Sequence, residues 1–247
     1  MDIYASLARL HMQTFGTTQR QIAAVAAKNH THSTRNPLAQ FQYPLTIDEV
    51  MAARAVSWPL TLPMCAPIGD GAAAAIVCSE TGLRRLKGLQ RERAIRIHAS
   101  VLRTATERAP DNYSQHLCYL AAREAYEKAG VGPQDMSLAE VHDATAFAEI
   151  QQTEALGFCA FGEGGPMAES GATTLGGRIP INVNGGLLSR GHPIGATGLA
   201  QIHEMVMQLR REAGVRQVEG ARFAIAENGG GFNGVEEAVT CITILGR

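Results

Sequence analysis

An α/β layered fold is predicted by the 247-residue sequence on three observations. Short apolar runs of strand character alternate with helix-length amphipathic segments over most of the chain. Several of those runs end in loops rich in glycine and histidine, as strand exits in such folds often do. The last two runs, 223–227 and 237–245, are separated by a short Gly-rich stretch, which predicts an antiparallel hairpin.

Taken in order, residues 3–15 carry Ile3, Leu7, Leu10 and Met12 at helical spacing, and Thr18 caps a second helix through Ile22, Val25 and Ala26. Residues 31–67 hold five prolines and read as irregular, with one short helix at 46–53. The run Gly71-Ala72-Ala73-Ala74-Ala75-Ile76-Val77-Cys78 reads as a buried strand. A short helix at 83–89, a strand at 94–101 and a helix at 115–129 follow, the last ended by Gly130. Residues 137–141 form a strand leading into His142-Asp143-Ala144-Thr145, and 147–156 a helix. Residues 179–183 lead to Asn184-Gly185-Gly186, and a long helix spans about 196–212.

Composition narrows the function classes. A net charge of -1 favours neither nucleic acid nor an acidic membrane surface. No stretch has the length of a membrane-spanning helix, and the first residues lack a basic run followed by a long apolar one. The five cysteines (Cys65, Cys78, Cys118, Cys159 and Cys241) are odd in number and without CxxC spacing, which suits reduced thiols of a cytoplasmic protein rather than disulfides or a zinc site.

Three loops carry the candidate chemistry: His142-Asp143-Ala144-Thr145, Gly191-His192-Pro193-Ile194-Gly195-Ala196-Thr197-Gly198, and Glu227-Asn228-Gly229-Gly230-Gly231. Free backbone N–H groups and helix dipoles gather at strand exits, and glycines let a ligand approach the backbone. His192 precedes the long helix, whose positive end disfavours imidazolium and keeps the ring available as a base. Singly, each histidine reads as structural and each Gly run as a turn. The three loops together, in this order, read as a site.

From His142-Asp143 through Glu154-Ala155-Leu156-Gly157-Phe158-Cys159, Asn182 and Gly185-Gly186-Leu187-Leu188-Ser189-Arg190-Gly191-His192-Pro193-Ile194-Gly195-Ala196-Thr197-Gly198, the sequence resembles thiolases of the sterol carrier protein x and lipid-transfer-protein type. The resemblance spans nearly the whole chain. It implies a thiolase-like α-β-α layering, with residues 1–80 as loop-domain helices plus the last strand of the N-terminal domain, and 81–247 as the C-terminal domain. It implies acyl-CoA acyltransferase chemistry of lipid metabolism, as in acetyl-CoA acetyltransferases, on a coenzyme A thioester, with no covalently bound cofactor and no metal. By resemblance His192 activates a nucleophile or polarises a thioester oxygen, His142 helps hold an oxyanion, and Asn184, Gly229 and Gly230 serve the oxyanion and substrate.

The sequence also departs from that family. No cysteine is followed two residues later by serine, so the nucleophile-bearing segment has no counterpart, and Ala144 stands where the His-Asp motif has cysteine. The C-terminal cysteine place falls at Glu227 or Asn228; Glu227 is a candidate acid/base, against the plainer reading of a loop-exposed carboxylate. Three functions follow: an acyltransferase completed by a separately supplied nucleophile half, a retro-aldol lyase on steroid or acyl side-chain CoA thioesters, or a non-catalytic acyl-CoA or lipid binder. The expected partners are an acyl-CoA and either a second copy or an N-terminal thiolase half. The family's lipid-transfer type also pairs with a small oligonucleotide-fold protein.

Overall fold

Gly16 and Thr18 make the first corner of the computed structural model, which describes all residues from Met1 to Arg247. Helix α1 (Asp2–Phe15) ends at Gly16 in the left-handed region, φ 78°, where its N–H reaches the Met12 carbonyl. Thr18 starts α2 (Gln19–Ser33) with a reciprocal capping box to Gln21. α1 buries one face, through Tyr4, Ala5, Ala8 and His11, whereas α2 is buried almost all round, including Lys28, Asn29, His30 and His32. Its apolar side meets Phe147, Ile150, Leu60 and Met64 in one continuous core cluster.

The irregular region contains α3 (Ile47–Ala52), capped by Thr46 and Glu49, and also a small antiparallel ladder of β1 (Ala55–Ser57) and β2 (Leu60–Thr61). The predicted strand in 71–78 is not formed. Those residues have no strand partner, and Ile76 and Val77 are 100% and 74% exposed. A strand satisfies its backbone only through neighbours, and none lies alongside. The expected helix at 83–89 is divided into α4 (Glu80–Arg85) and α5 (Leu89–Glu92), because Leu86 turns extended and Gly88 takes a positive φ of 52°.

The main sheet holds four strands in the order β3-β6-β5-β4: β3 (Arg96–Thr104), β4 (Leu138–Glu140), β5 (Phe223–Gly230) and β6 (Val239–Gly246). β5 and β6 form the predicted antiparallel hairpin, running from the Phe223–Gly246 pair to the Gly230–Val239 pair, while β4 is parallel to β5. Helix α6 (Leu117–Ala129), closed by Gly130 at φ 69°, shares one core cluster with Val101, Ile225, Ile242 and Ile244. Helix α10 (Thr197–Leu209) shares another with Leu138, Ala224, Ala226 and Leu245. The alternation of Ala224, Ile225 and Ala226 between the two clusters is the two-residue period of a strand covered on both faces. Helices α7 (Ala146–Ala155), α8 (Gly164–Glu169) and α9 (Gly186–Ser189) complete the α-β-α arrangement. No helix is long and apolar enough to cross a membrane.

Candidate active site

β4 stops at Glu140, paired with Ala226, but β5 continues to Gly230. The overrunning half of β5 therefore has β6 on one side and the loop carrying His142 on the other. His142 is 8% exposed. Its backbone N–H donates to Glu227 Oε2 at 3.0 Å, and its Nδ1 lies 3.2 Å from the Asn228 side-chain nitrogen. Burial, then the neighbouring His192 and Arg190, push its pKa down to about 3, so the imidazole is neutral at pH 7.

His192 meets it from the other side. The loop before α10 bends at Gly191, φ 111°, and sets the two rings edge to face with centroids 5.0 Å apart. His192 is half-buried, and its Nδ1 lies 2.8 Å from the Thr197 hydroxyl on the first turn of α10. Burial and the Arg190 guanidinium again lower its pKa. A cavity of about 650 Å³, within the range of small-molecule sites, is lined in part by Gly71, Asn184, Arg190, Gly191, Pro193 and Ala196; it reaches the neighbours of His192 in sequence, and neither histidine is in its wall.

Glu227 is not loop-exposed. It sits inside β5 with no solvent exposure, accepting from the His142 backbone and, at 2.8 Å, from the Thr240 hydroxyl. Burial, then the charge of Glu237, raise its pKa to about 8. Gly229 and Gly230 lie in the same strand opposite Thr240 and Val239. A side chain at Gly229 would come within 2.6 Å of the Glu237 side chain, so the close approach of these two requires glycine.

Asn184 lines the cavity but its side chain is committed: Nδ2 donates to Glu140 at 2.8 Å and Oδ1 accepts from Gly186 at 2.9 Å. It makes no hydrogen bond with either histidine. Asp143 turns away from them as well, accepting from Leu187 at 2.7 Å, Leu188 at 3.3 Å and Asn29 at 2.8 Å. That carboxylate belongs to a buried polar network under the site. Lys28 pairs with Glu149 and donates to the Ile181 carbonyl at 2.8 Å; Asn29 and Asn182 donate to Glu149 at 3.0 and 2.9 Å. Asn182, at φ 54°, also accepts from Val141 at 2.9 Å and so anchors the strand exit that aims His142.

With this geometry in place, similarity to known proteins is informative. A profile described as "Thiolase C-terminal domain-like" matches residues 100–247, more than half of the chain. The chain belongs to the thiolase family. "Sterol carrier protein 2" of Rattus norvegicus is 43% identical over 233 residues, covering 92% of this chain and 42% of the rat protein. "Acetyl-CoA acetyltransferase" of Methanothermobacter thermautotrophicus is 43% identical over 236 residues, covering 94% of this chain and 61% of that protein. The thiolase chain thus spans less than two thirds of either relative. Its fold matches the structure titled "Ltp2-ChsH2(DUF35) aldolase" with a TM-score of 0.80 at 22% identity, over 99% of this chain and 62% of that one.

Within this thiolase fold, the three loops singled out from the sequence come together, and residues not assigned a role there brace them. Asn228, Gln201 and Thr197 contact the histidines or one another, and Lys28, Asn29 and Glu149 hold the floor. The i, i+4 spacing of Thr197 and Gln201 from the histidine loop was the one available signal. No cysteine is a hydrogen-bond partner of either histidine. Burial pushes the Cys65 thiol up to about 11 and Cys159 to about 12, far from reactive thiolates.

Proposed function

We propose that this chain is the histidine-bearing part of a thiolase-type enzyme acting on acyl-CoA thioesters in lipid metabolism. His192 serves as the base that activates a nucleophile supplied from outside these 247 residues, and His142 as a donor to the thioester oxygen. The observation carrying this reading is the pair of neutral imidazoles set edge to face at 5.0 Å, His192 on a loop whose Gly191 and Pro193 line the neighbouring cavity. A neutral imidazole can take the proton from a thiol and return it to the leaving group, and such proton transfer contributes about 10²- to 10⁴-fold to rate. A cysteine at hydrogen-bond distance would complete the pair, whether from a linked segment, a second chain or a separate half.

The relatives' further length and the unpaired 71–78 run support a missing half that pairs with that run. The test is co-expression with a thiolase segment bearing the Cys-x-Ser nucleophile, followed by thiolysis of acetoacetyl-CoA. Activity is expected only in the combination, falling by about 10²-fold or more in His192→Ala. A complex that forms and stays inactive sinks the acyl-transfer reading.

A second reading is favoured by Ala144 in the cysteine place and by a buried acid, Glu227, behind His142. These suit retro-aldol cleavage of a CoA thioester, in which a base and an oxyanion donor suffice and no acyl-enzyme forms. Release of a carbonyl fragment without consumption of free coenzyme A distinguishes it. A partner akin to the DUF35 component of the structurally similar aldolase belongs to this version.

A further inference from the structure

The hydrogen-bond chain behind His142 has an unambiguous direction. It starts at the Glu227 backbone carbonyl, which can only accept. Gln201 must therefore turn its Nε2 amide toward that oxygen, at 2.9 Å, and its Oε1 away from it. Oε1 can only accept too, so Asn228 must offer it Nδ2, at 3.0 Å. The same amino group lies 3.2 Å from His142 Nδ1 and has a second hydrogen to give. Nδ1 is then an acceptor, and in a neutral ring the proton sits on Nε2.

At His192 the single hydroxyl hydrogen of Thr197 has two acceptors in reach, the Pro193 carbonyl at 3.1 Å and His192 Nδ1 at 2.8 Å. Given to the carbonyl, it leaves the oxygen to accept from Nδ1 and puts the ring's lone pair on Nε2. Thr197 and Gln201 stand one turn apart on α10, 1% and 0% exposed, so one buried helix edge faces both histidine systems.

We propose that Gln201, acting through Asn228, is a positioning residue that locks His142 with its proton on Nε2, while Thr197 locks His192 with its proton on Nδ1. The two rings thereby present one N–H donor and one lone pair to the same space. The use of that polarity, a donor for a thioester oxygen and an acceptor for a proton, rests on the acyl-CoA reading. The protonation pattern itself does not.

The deciding measurement is long-range ¹H–¹⁵N correlation of the imidazoles in the ¹⁵N-labelled chain at pH 7, with signals assigned through His142→Gln and His192→Gln. The expected spectrum shows His142 as the neutral Nε2–H form and His192 as the neutral Nδ1–H form. In Gln201→Leu the Asn228 amide is free to turn over, and His142 is expected to shift to a mixture of both forms while His192 stays unchanged. Asn228→Ala, which leaves Gln201 bonded to the Glu227 carbonyl, is expected to give the same mixture and serves should the leucine variant not fold. A wild-type His142 protonated on Nδ1, or one wholly on Nε2 in both variants, overturns the lock. Neither result depends on any thioester, so the acyl-CoA reading can fail while the lock stands, and the reverse.

Discussion

Helix α2 and the run 71–78 invert what their compositions suggest. α2 carries Lys28, Asn29, His30 and His32 and is buried almost entirely; the run is made of Gly, Ala, Ile, Val and Cys and is almost entirely exposed. A helix closes its own backbone hydrogen bonds, so it can enter a core wherever its side chains find partners, and those of α2 find Glu149, Asp143 and the Ile181 and Asn182 carbonyls. An extended run cannot do this. Its N–H and C=O groups need neighbouring strands, and apolar side chains do not substitute for them. Burial here follows the availability of partners more than hydropathy.

The largest effect is expected where the polar burial is deepest. Lys28→Met leaves Glu149 buried without its cation and should cost about 3–5 kcal/mol in urea unfolding, much of it recovered when Glu149→Leu is added. If the single variant is as stable as the wild type, the network does not hold α2 in place.

A smaller effect separates the sheet from the helices. Glu227 has its pKa raised from 4.5 to about 8, so between those values the folded chain keeps a proton that the unfolded chain has lost. Its stabilising contribution is full below pH 4.5 and is lost as pH rises through 8. In Glu227→Gln the decline in melting temperature from pH 6 to 8 should become shallower, by roughly 2 kcal/mol of stability, with a remainder from Glu237, whose carboxyl burial also raises. An unchanged slope would show that Glu227 is ionised in the fold.

The smallest effect belongs to the exposed run. Ile76→Ser with Val77→Ser should alter the stability of this chain by less than about 0.5 kcal/mol, as surface changes do. The same pair should sharply weaken association with a supplied half that pairs with the run, as read by size-exclusion chromatography.

Much of the fold was legible because its signals are local. Gly130 ends a helix, Thr18 and Thr46 begin them, and the apolar runs at 223–227 and 237–245 pair as the short loop between them requires. The 71–78 run differs from the predicted strand because apolar composition signals a strand but not whether a neighbour exists. At the site, His142 and His192 stood out through their glycine-rich settings. Gln201 and Lys28 did not, since each lies in a helix and meets its partners only through contacts 26 to 153 residues away in sequence. Asn184 is a candidate through the family resemblance, and its amide bonds Glu140 and Gly186.

The Glu227 carboxyl takes the His142 N–H just beyond the last rung of the β4–β5 ladder, at Glu140 and Ala226. The peptide can therefore leave the sheet to carry an imidazole without abandoning a donor. Because successive residues of β5 point to opposite sides, Glu227 holds the His142 peptide from one face and Asn228 meets its ring from the other. Position 228 thus governs the ring by its side chain alone, while the peptide that carries the ring is fastened from the opposite face.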